Sequence, residues 1–568
     1  MKKTNLFLAF GMAALMLGGC GLGKMVKKYD DVKHKVTPNP LEVHGDKVAV
    51  TISVKYPAKY FHKKAVVNVT PKITWEGGEK ALKTVKLKGE AVEGDGIKVS
   101  SAGGTITYID TVAYQAEMKI SKLVVTATAT LGDKEPVDLG SKEVAEAMIT
   151  TSQRVLGEEK LGLGADKYQK ISIVSQTATI NFAIQQANIR SREKSDADMK
   201  DLKSFVKKGY ELNDIAITSY ASPDGPEDLN DRVSNNREKS TYAYMSNQLK
   251  AWGLKEARED AKYEKASKSE DWEGFTNAVS TSDMADKELI LKILNSYTDL
   301  AAREKEIKNL TDAYNKMKTS ILPPLRRAEV TVNSLEPKLT DEQIAEYALS
   351  NPDTLKDEEL LYGATLTDDI DNKMKIYESY STLFPEDWRG PNNVGYIQMM
   401  KGDLAAAKTS FEKASSMNAD VSQPYNNMGI VAAWSKDYET AMKQYNIAGE
   451  KGGDVVYNKG SLYLRMGDYA TAIEAYGNTA CGYNYALTQL LSESYEDAQR
   501  IAECSEGVDE AALAYLQALI AARTGDKEAM KTNLADAISK NAAYREDAKT
   551  DMEFNKYWES AEFQEAVK

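Results

Sequence analysis

Two stretches in the C-terminal part of the chain are copies of one another. The first is NNVGYIQMMKGDLAAAKTSFEKAS, Asn392–Ser415, and the second is NNMGIVAAWSKDYETAMKQYNIAG, Asn426–Gly449. Because Gly395 corresponds to Gly429, the copies lie 34 residues apart, a period typical of stacked helix pairs. Residues 340–568 are therefore predicted to form an α-helical solenoid. The other matches are Ala407 with Ala441, Phe411 with Tyr445 and Ala414 with Ala448, followed by a third copy with Gly460, Ala472 and Tyr476.

The period and the recurring spacing of small and aromatic residues resemble those of tetratricopeptide (TPR) repeats. This resemblance implies that the repeat residues are buried in the solenoid's own core and that a concave face is left for a protein partner. Amides near the start of the first helices are candidates for holding a peptide backbone, and capping of those helices is the alternative. These residues are Asn392, Asn393, Asn426, Asn427 and Asn458.

A middle region, 166–335, alternates strand and helix patterns. Residues 177–189 alternate as a strand does, and Asp196–Lys208 has apolar residues at helical spacing. A second strand then runs into the turn Ser222–Pro226, where the proline suits the first position of a helix. The predicted order is β-α-β-α with a closing strand.

Part of this region, IAITSYASPDGPEDLNDRVSNNREKSTYAYM (Ile215–Met245), resembles the core motif of OmpA-like domains, which bind peptidoglycan. The paired arginines Arg326-Arg327 resemble the start of the family's closing strand, which would complete a β-α-β-α-β domain. Between the two motifs lies an insertion, residues 252–323, that reads as helices and is not typical of the family. The motif positions that match are Gly225, Leu229, Asn230, Ser234 and Arg237.

The resemblance implies a binding site for the diaminopimelate of a peptidoglycan stem peptide. Its free end carries an ammonium and a carboxylate, which a carboxylate and a guanidinium would bind. Arg237 supplies the guanidinium, and Asn230 lies on the same helix. The position of the family's Asp holds Ser222, so the nearest carboxylate is Asp224. Either Asp224 binds the ammonium from a reshaped loop, or Ser222 and backbone groups hold the ammonium without a charge. The structural alternative for Asp224 is that it forms the turn or caps the helix. Arg237 has a surface salt bridge as its alternative role.

Residues 45–150 alternate in the manner of short strands separated by turns, which predicts an N-terminal β-sandwich. Val48, Val50, Ile52 and Val54 mark one face of the first clear strand. The predicted fold class is thus multidomain α+β: a β-sandwich, an OmpA-like domain with a helical insertion and a TPR solenoid. The only histidines of the chain precede or begin this sandwich, at spacings that fit no metal motif, and we expect them to be solvated or hydrogen-bonded: His34, His44 and His62.

The N-terminus reads as an export signal. Lys2 and Lys3 precede an apolar run, Leu6–Leu17, which is the size of a signal-peptide core and too short to span a bilayer. It ends in Leu-Gly-Gly-Cys20, which resembles the bacterial lipobox, where cleavage precedes an acylated cysteine. This implies a signal peptide at 1–19, lipidation of Cys20, a tether at 20–44 and an outer-membrane anchor facing the periplasm.

Composition excludes several classes of function. With 73 basic and 85 acidic residues and a net charge of −12, the chain lacks the basic surface that nucleic acid requires. The 506 residues after His62 contain no imidazole for a catalytic triad or a histidine-ligated metal. Cys481 and Cys504 fall in helical repeat material, where free thiols are the default and a disulfide the alternative. We predict no enzyme activity, metal or cofactor.

Three functional hypotheses follow from these patterns. The leading one is a lipoprotein that tethers the outer membrane to peptidoglycan and scaffolds proteins on its repeats. A second hypothesis keeps the scaffold but not peptidoglycan binding. In it the OmpA-like domain has lost its ligand, and the chain helps to assemble an outer-membrane complex. A third is glycan capture at the cell surface, where lipoproteins also combine helical repeats with β-domains.

Overall fold

The computed structural model describes residues 22–477 and 481–568 and divides into two compact units. Unit 1 combines the chain up to Ala165 with Asp369–Lys568, and unit 2 is Asp166–Asp368. In sequence, unit 2 is therefore an insertion within unit 1. The predicted signal peptide, 1–19, and the lipidation site Cys20 lie outside the described residues.

The N-terminal part of unit 1 consists of two sheets that share one hydrophobic core. In one sheet β3 pairs with β8 on one side and with β1 and β2 on the other, and in the second sheet the order is β10-β9-β4-β6-β7. We call this part the sandwich domain. Its elements are α1 (Gly23–Lys27), β1 (Lys33–Thr37), β2 (Leu41–His44), β3 (Lys47–Tyr56), β4 (Ala65–Trp75), β5 (Gly78–Ala81), β6 (Val85–Gly89), β7 (Ile97–Val99), β8 (Gly104–Ala113), β9 (Ser121–Leu131), β10 (Val137–Glu146) and β11 (Met148–Ile149).

The alternation that predicted β3 is confirmed, because Val48, Val50, Ile52 and Val54 are all buried while their neighbours face outward. The predicted tether at 20–44 is corrected. From Leu22 onward this segment is folded: Leu22 and Met25 are buried in the sandwich core, and β1 and β2 belong to one of its sheets. Apart from the exposed Val26, the larger apolar residues of the described part are buried, so a polar composition here does not indicate a mobile linker.

Unit 2 is built on a four-stranded sheet in the order β12-β15-β13-β14, in which only the β13–β14 pair is parallel. Helices α2 and α3 share its core. The bounds are β12 (Ile173–Asn181), α2 (Ala197–Val206), β13 (Leu212–Tyr220), α3 (Glu227–Trp252), β14 (Tyr263–Lys268), α4 (Trp272–Ser280), α5 (Lys287–Ser296), α6 (Leu300–Asn309), α7 (Thr311–Ser320), α8 (Leu322–Leu325), β15 (Arg327–Leu335), α9 (Asp341–Ser350) and α10 (Asp357–Gly363).

Two predicted boundaries in this region are corrected. The insertion 252–323 is not helical throughout, because Tyr263–Lys268 forms the edge strand β14, and only α4–α8 make a small helical core of their own. β14 is short and largely exposed, so its sequence carries little strand pattern. The solenoid begins at Ile370 rather than at 340, since α9 and α10 belong to unit 2.

The C-terminal part of unit 1 is the solenoid, in which consecutive helices pair from α12 and α13 to α20 and α21. Its helices are α11 (Ile370–Leu383), α12 (Arg389–Met400), α13 (Leu404–Met417), α14 (Gln423–Trp434), α15 (Tyr438–Glu450), α16 (Val456–Met466), α17 (Tyr469–Tyr476), α18 (Tyr483–Leu491), α19 (Tyr495–Glu503), α20 (Glu510–Thr524), α21 (Lys527–Lys540), α22 (Tyr544–Thr550) and α23 (Ala561–Ala566).

The repeated small residues allow the paired helices to approach closely. A Cβ atom added at Gly395 would lie 2.6 Å from the ring of Phe411, and one at Gly460 would lie 2.6 Å from the ring of Tyr476. Such distances are too short for carbon atoms, so each aromatic ring occupies the space that its glycine leaves open. The structural role predicted for these positions is confirmed.

The two cysteines of the repeats form a disulfide, Cys481–Cys504, with a sequence separation of 23. The prediction of free thiols was therefore wrong, because the end of α19 brings Cys504 to the start of α18. Within 22–477 and 481–568, the structure contains no helix that is long and apolar enough to cross a membrane.

Candidate functional site

A groove along the solenoid is lined by buried asparagines, one or two on the first helix of each of four repeats. Their exposed fractions are between 0 and 6%. They are not helix caps: the cap residues of α12, α14 and α16 are Trp388, Ser422 and Val455, none of which makes a side-chain capping bond. The capping alternative for these amides is thus contradicted. The groove asparagines are Asn392, Asn393, Asn426, Asn427, Asn458 and Asn484.

These asparagines bind a segment of the same chain. After the sandwich domain, residues 155–165 run extended along the groove, and we call this segment the strap. At its far end Asn393 Oδ1 accepts a hydrogen bond from the Gly164 amide (2.7 Å), and Asn393 Nδ2 donates one to the Gly164 carbonyl (2.8 Å). A side-chain amide thereby pairs with both backbone groups of one residue, as a neighbouring β-strand would.

The same two-bond clamp occurs on three further repeats. Each asparagine side chain accepts from the N–H of one strap residue and donates to the C=O of that residue, over distances of 2.7–3.1 Å. The clamps therefore satisfy strap backbone groups that would otherwise be buried without partners. The pairs are Asn427 with Gly162, Asn458 with Lys160 and Asn484 with Leu156.

A second set of amides completes the network. Asn392 donates to the Gly162 carbonyl (2.9 Å) and Asn426 to the Lys160 carbonyl (2.7 Å), so each of these carbonyls accepts two hydrogen bonds. Amides of successive repeats also bond to one another, Asn427 to Asn392 and Asn458 to Asn426. The amide–amide bonds are continuous from Asn393 to Asn458, and these side chains orient one another.

Three glycines let the strap lie this close to the helices. An added Cβ at Gly162 would be 2.9 Å from Gln423 Cβ, and one at Gly164 would be 2.9 Å from Arg389 Cβ. At Gly157 an added Cβ would lie 2.8 Å from the Trp434 ring. The groove thus accepts only glycine at these positions without a local shift.

Two strap carboxylates have dedicated partners. Glu158 accepts hydrogen bonds from the Tyr483 and Asn484 amides at the start of α18 (3.1 and 2.8 Å) and from the Tyr457 hydroxyl (2.6 Å). A helix N-terminus favours such an anion. Burial raises the pKa of Tyr457 far above its usual value, and Tyr476 and then Glu158 raise it further, so the phenol remains a donor.

The neighbouring carboxylate, Glu159, is the more deeply buried, with a side chain that is 1% exposed. It forms an ion pair with Arg465 (2.9 Å) and accepts a hydrogen bond from Trp434 Nε1 (2.9 Å). Leu161 packs against the apolar core of the first three repeats, and Leu156 against the core of the later ones. The strap is therefore recognised by its backbone, its charges and its apolar side chains together.

Sequence reasoning found five of the six groove asparagines and missed Asn484 and the strap itself. Residues 151–165 carry no pattern of their own, because an extended segment has no periodicity without its partner. The sequence does contain a usable signal. Gly162 and Gly164 alternate with leucines, and Asn484 follows a tyrosine close to the start of its helix, as Asn458 does.

The residues predicted to bind peptidoglycan lie in unit 2. Ser222 Oγ donates to Asp224 (2.6 Å), and Arg326 binds both of them, Ser222 at 3.0 Å and Asp224 at 3.0 Å. The Asp224 and Arg326 side chains are only 11 and 10% exposed. The carboxylate therefore pairs with Arg326, a residue predicted only to begin the closing strand.

Arg237 has a different role from the surface salt bridge considered as its alternative. It is 1% exposed and donates to three backbone carbonyls, those of Ala183, Gln186 and Tyr220, at 2.7–3.1 Å. Burial and the nearby Arg326 lower the pKa of Arg237 to about 10, against an opposing effect of Asp224. Its guanidinium holds the loop after β12 and the end of β13 to α3.

Asn230, the remaining predicted site residue, is also occupied within unit 2. Its Nδ2 donates to the Gly225 carbonyl (3.0 Å) and to Glu270 (3.2 Å). Burial raises the pKa of the Glu270 carboxyl, although hydrogen bonds from Trp272 and Asn230 act in the opposite direction. Within the part of the chain that the structure describes, no group of three or more His, Cys, Asp or Glu side chains is arranged to hold a metal.

Comparison with known proteins supports the repeat assignment. The tetratricopeptide repeat family model matches residues 392–421 and 453–477, so the C-terminal region contains TPR repeats as predicted. No curated protein matches the chain.

Among solved structures, the one described as "Functional Characterization of Pseudomonas Aeruginosa pilF" is 16% identical over 40% of this chain and 97% of its own, with a TM-score of 0.26. The APC/C hetero-tetramer Cut9-Hcn1 is 11% identical over 61% of this chain and 74% of that chain, with a TM-score of 0.32.

Proposed function

We propose that this chain is a non-enzymatic scaffold of the bacterial cell envelope that recruits a protein partner through its TPR repeats. The observation that carries the proposal is the asparagine groove, which binds an extended peptide backbone through four two-bond clamps. Repeat solenoids use such concave faces for extended segments of other proteins. The remaining elements of the proposal concern where the scaffold acts.

The envelope location is proposed from the N-terminal sequence, which resembles a lipoprotein signal ending at Cys20. The Cys481–Cys504 disulfide supports it, because disulfides persist in oxidising compartments such as the periplasm. The first described residue, Leu22, is already buried in the sandwich domain. An acyl chain on Cys20 would therefore hold this domain directly at the membrane surface, without a spacer. Labelling with a palmitate analogue, lost in Cys20→Ser, tests the anchor.

For unit 2 we propose an OmpA-like domain that serves as a structural part of the scaffold. The strand and helix order and the Ile215–Met245 motif support the family, whereas the contacts favour the version without a ligand. The guanidinium of Arg237 donates its hydrogen bonds to backbone carbonyls, and the charge of Asp224 is neutralised by Arg326. A diaminopimelate ligand would have to displace one of these buried partners, which is costly.

Co-sedimentation of the full chain with purified sacculi separates this version from the peptidoglycan tether. We expect the unaltered chain to stay in the supernatant, like a control protein of similar charge. Pelleting that disappears in Asp224→Asn would establish the tether instead, because this change removes the charge and keeps the side-chain shape. Asp228→Asn, an exposed position on α3, is the matched control.

The scaffold itself is tested by photo-crosslinking in intact cells. Met400 and Val456 are apolar residues of the solenoid that are 56 and 52% exposed, and Ile109, 71% exposed, is a control in the sandwich domain. A photoreactive amino acid at the two solenoid positions is expected to give a discrete adduct that the control position does not give. Absence of adducts at both solenoid positions would contradict the proposal.

A further inference from the structure

The strap contacts the groove as a separate peptide ligand would. Its bonds to the solenoid come from side chains of four successive repeats, and none of them requires the strap to be covalently continuous with the repeats. Lys160, Gly162 and Gly164 are clamped at every second residue, which is the spacing at which one edge of an extended backbone presents its N–H and C=O groups. Through these clamps, the groove recognises the backbone of an extended segment, whatever its side chains.

The groove also selects particular side chains. Gly157, Gly162 and Gly164 must be small because helix atoms occupy the space of a side chain. The acidic pair is selected by charge, since Glu158 lies at the N-terminus of α18 and Glu159 faces Arg465. These requirements define a pattern: a small residue, two adjacent acidic residues, and then small residues three and five positions after the second acid.

An empty groove would be unfavourable. The six asparagines and Arg465 are nearly or largely buried with the strap in place, and without it they would depend on water for every strap-directed bond. A segment of another protein with the same pattern would restore each bond, so exchange costs little beyond the advantage that tethering gives the strap. That advantage corresponds to an effective concentration of roughly millimolar for an intramolecular ligand.

We propose that the groove is the recognition site for an extended segment of a partner protein that carries this acidic-then-small pattern, and that the strap is the chain's own copy, which the partner segment must displace. This inference rests on the proposed function, because it specifies how the repeats bind their partner. It makes the described structure the closed form of the scaffold, in which the groove is filled by the chain itself.

The test uses a labelled peptide, RVLGEEKLGLGA, the sequence of Arg154–Ala165, and the full chain. In the variant Gly162→Val/Gly164→Val the new side chains collide with Gln423 and Arg389, which loosens the strap and leaves the groove unaltered. We expect fluorescence anisotropy to give a Kd for the peptide at least about 10-fold lower with this variant than with the unaltered chain. Ala165→Val, at an exposed strap position, is expected to behave like the unaltered chain.

Two matched controls establish that the peptide binds as the strap does. A peptide that carries the same two valines is expected not to bind the loosened chain. Adding Asn427→Ala and Asn458→Ala to the loosened chain is expected to weaken peptide binding by at least about 10-fold, because each loses a backbone clamp. Equal binding in either control would overturn the proposal.

Hydrogen exchange on the unaltered chain needs no substitution and covers the case in which the loosened variant fails to fold. The amides of Leu156, Lys160, Gly162 and Gly164 are expected to be protected, and excess peptide is expected to increase their exchange at least several-fold. Strap amides that remain protected at saturating peptide would overturn the proposal.

Two further results separate this proposal from related ones. An unaltered chain that is a dimer by light scattering, when the loosened variant is a monomer, would assign the groove to the strap of a second copy, which overturns the partner segment. Photo-crosslinks at Met400 and Val456 that persist while the peptide does not bind would leave the scaffold function standing and remove only the displacement mechanism.

Discussion

The groove of the solenoid and the Ser222–Asp224–Arg326 cluster of unit 2 are both buried polar sites, but their partners come from different places. In the groove, amides of several repeats converge on the backbone of a segment from elsewhere in the chain. In unit 2, the carboxylate, the hydroxyl and the guanidinium bind one another. Polar groups that converge on an added segment indicate a binding site, whereas polar groups that satisfy each other indicate a structural cluster.

The largest effect is expected for Arg237→Ala, which tests whether the buried polar groups of unit 2 have a structural role. Arg237→Ala leaves three buried carbonyls without donors, and we expect it to lower the free energy of unfolding of unit 2 by about 4 kcal/mol. Thermal or urea unfolding measures this change. Arg232→Ala, an exposed arginine on the same helix, is the control, with an expected change below about 0.5 kcal/mol. If both variants unfold alike, Arg237 is free to serve a ligand and the comparison fails.

A smaller effect is expected in the groove. Asn427→Ala removes both bonds to Gly162 and one to Asn392, and we expect it to destabilise unit 1 by about 2 kcal/mol. Asn446→Ala, on the exposed side of α15, should leave stability unchanged. Because a clamp also holds the strap, hydrogen exchange at the Gly162 amide should rise in the first variant only. Unchanged exchange there would show that the groove asparagines do not hold the strap.

The smallest effect concerns pH. Burial raises the pKa of Glu270, which means that the folded state disfavours the ionised carboxylate. At pH 7 Glu270→Gln should therefore stabilise unit 2 slightly, by about 0.5 kcal/mol. The advantage should disappear as the pH falls through the raised pKa to below the unfolded value, where both states are protonated. Asparagine clamps do not titrate, so the same pH change should leave the Asn427→Ala effect constant. An advantage that grows in acid would contradict this assignment.

The parts of the fold that depend on local pattern could be predicted from the sequence. The 34-residue period predicts the repeats, and the alternation of apolar residues predicts β3, because both patterns reflect contacts of residues that are close in sequence. The strap was missed because its partners lie 229 to 328 residues away and its own sequence has no periodicity that depends on them. Tertiary packing also decides that Cys481 meets Cys504, which the sequence offers only as an alternative, and that Asp224 meets Arg326, which the sequence does not predict.

The position of the strap in the chain sets an order of events during synthesis. The strap emerges before its partners: Gly164 precedes Asn393 by 229 residues, and Leu156 precedes Asn484 by 328. The sandwich domain can fold early, but the strap beside it has to wait until unit 2 and then each repeat in turn have been made. Asn393 is available first and Asn484 last, so the strap is bound from its C-terminal end towards its N-terminal end. A newly made molecule consequently passes through a stage in which the strap, with its exposed leucines and unpaired backbone, is open to any other binder.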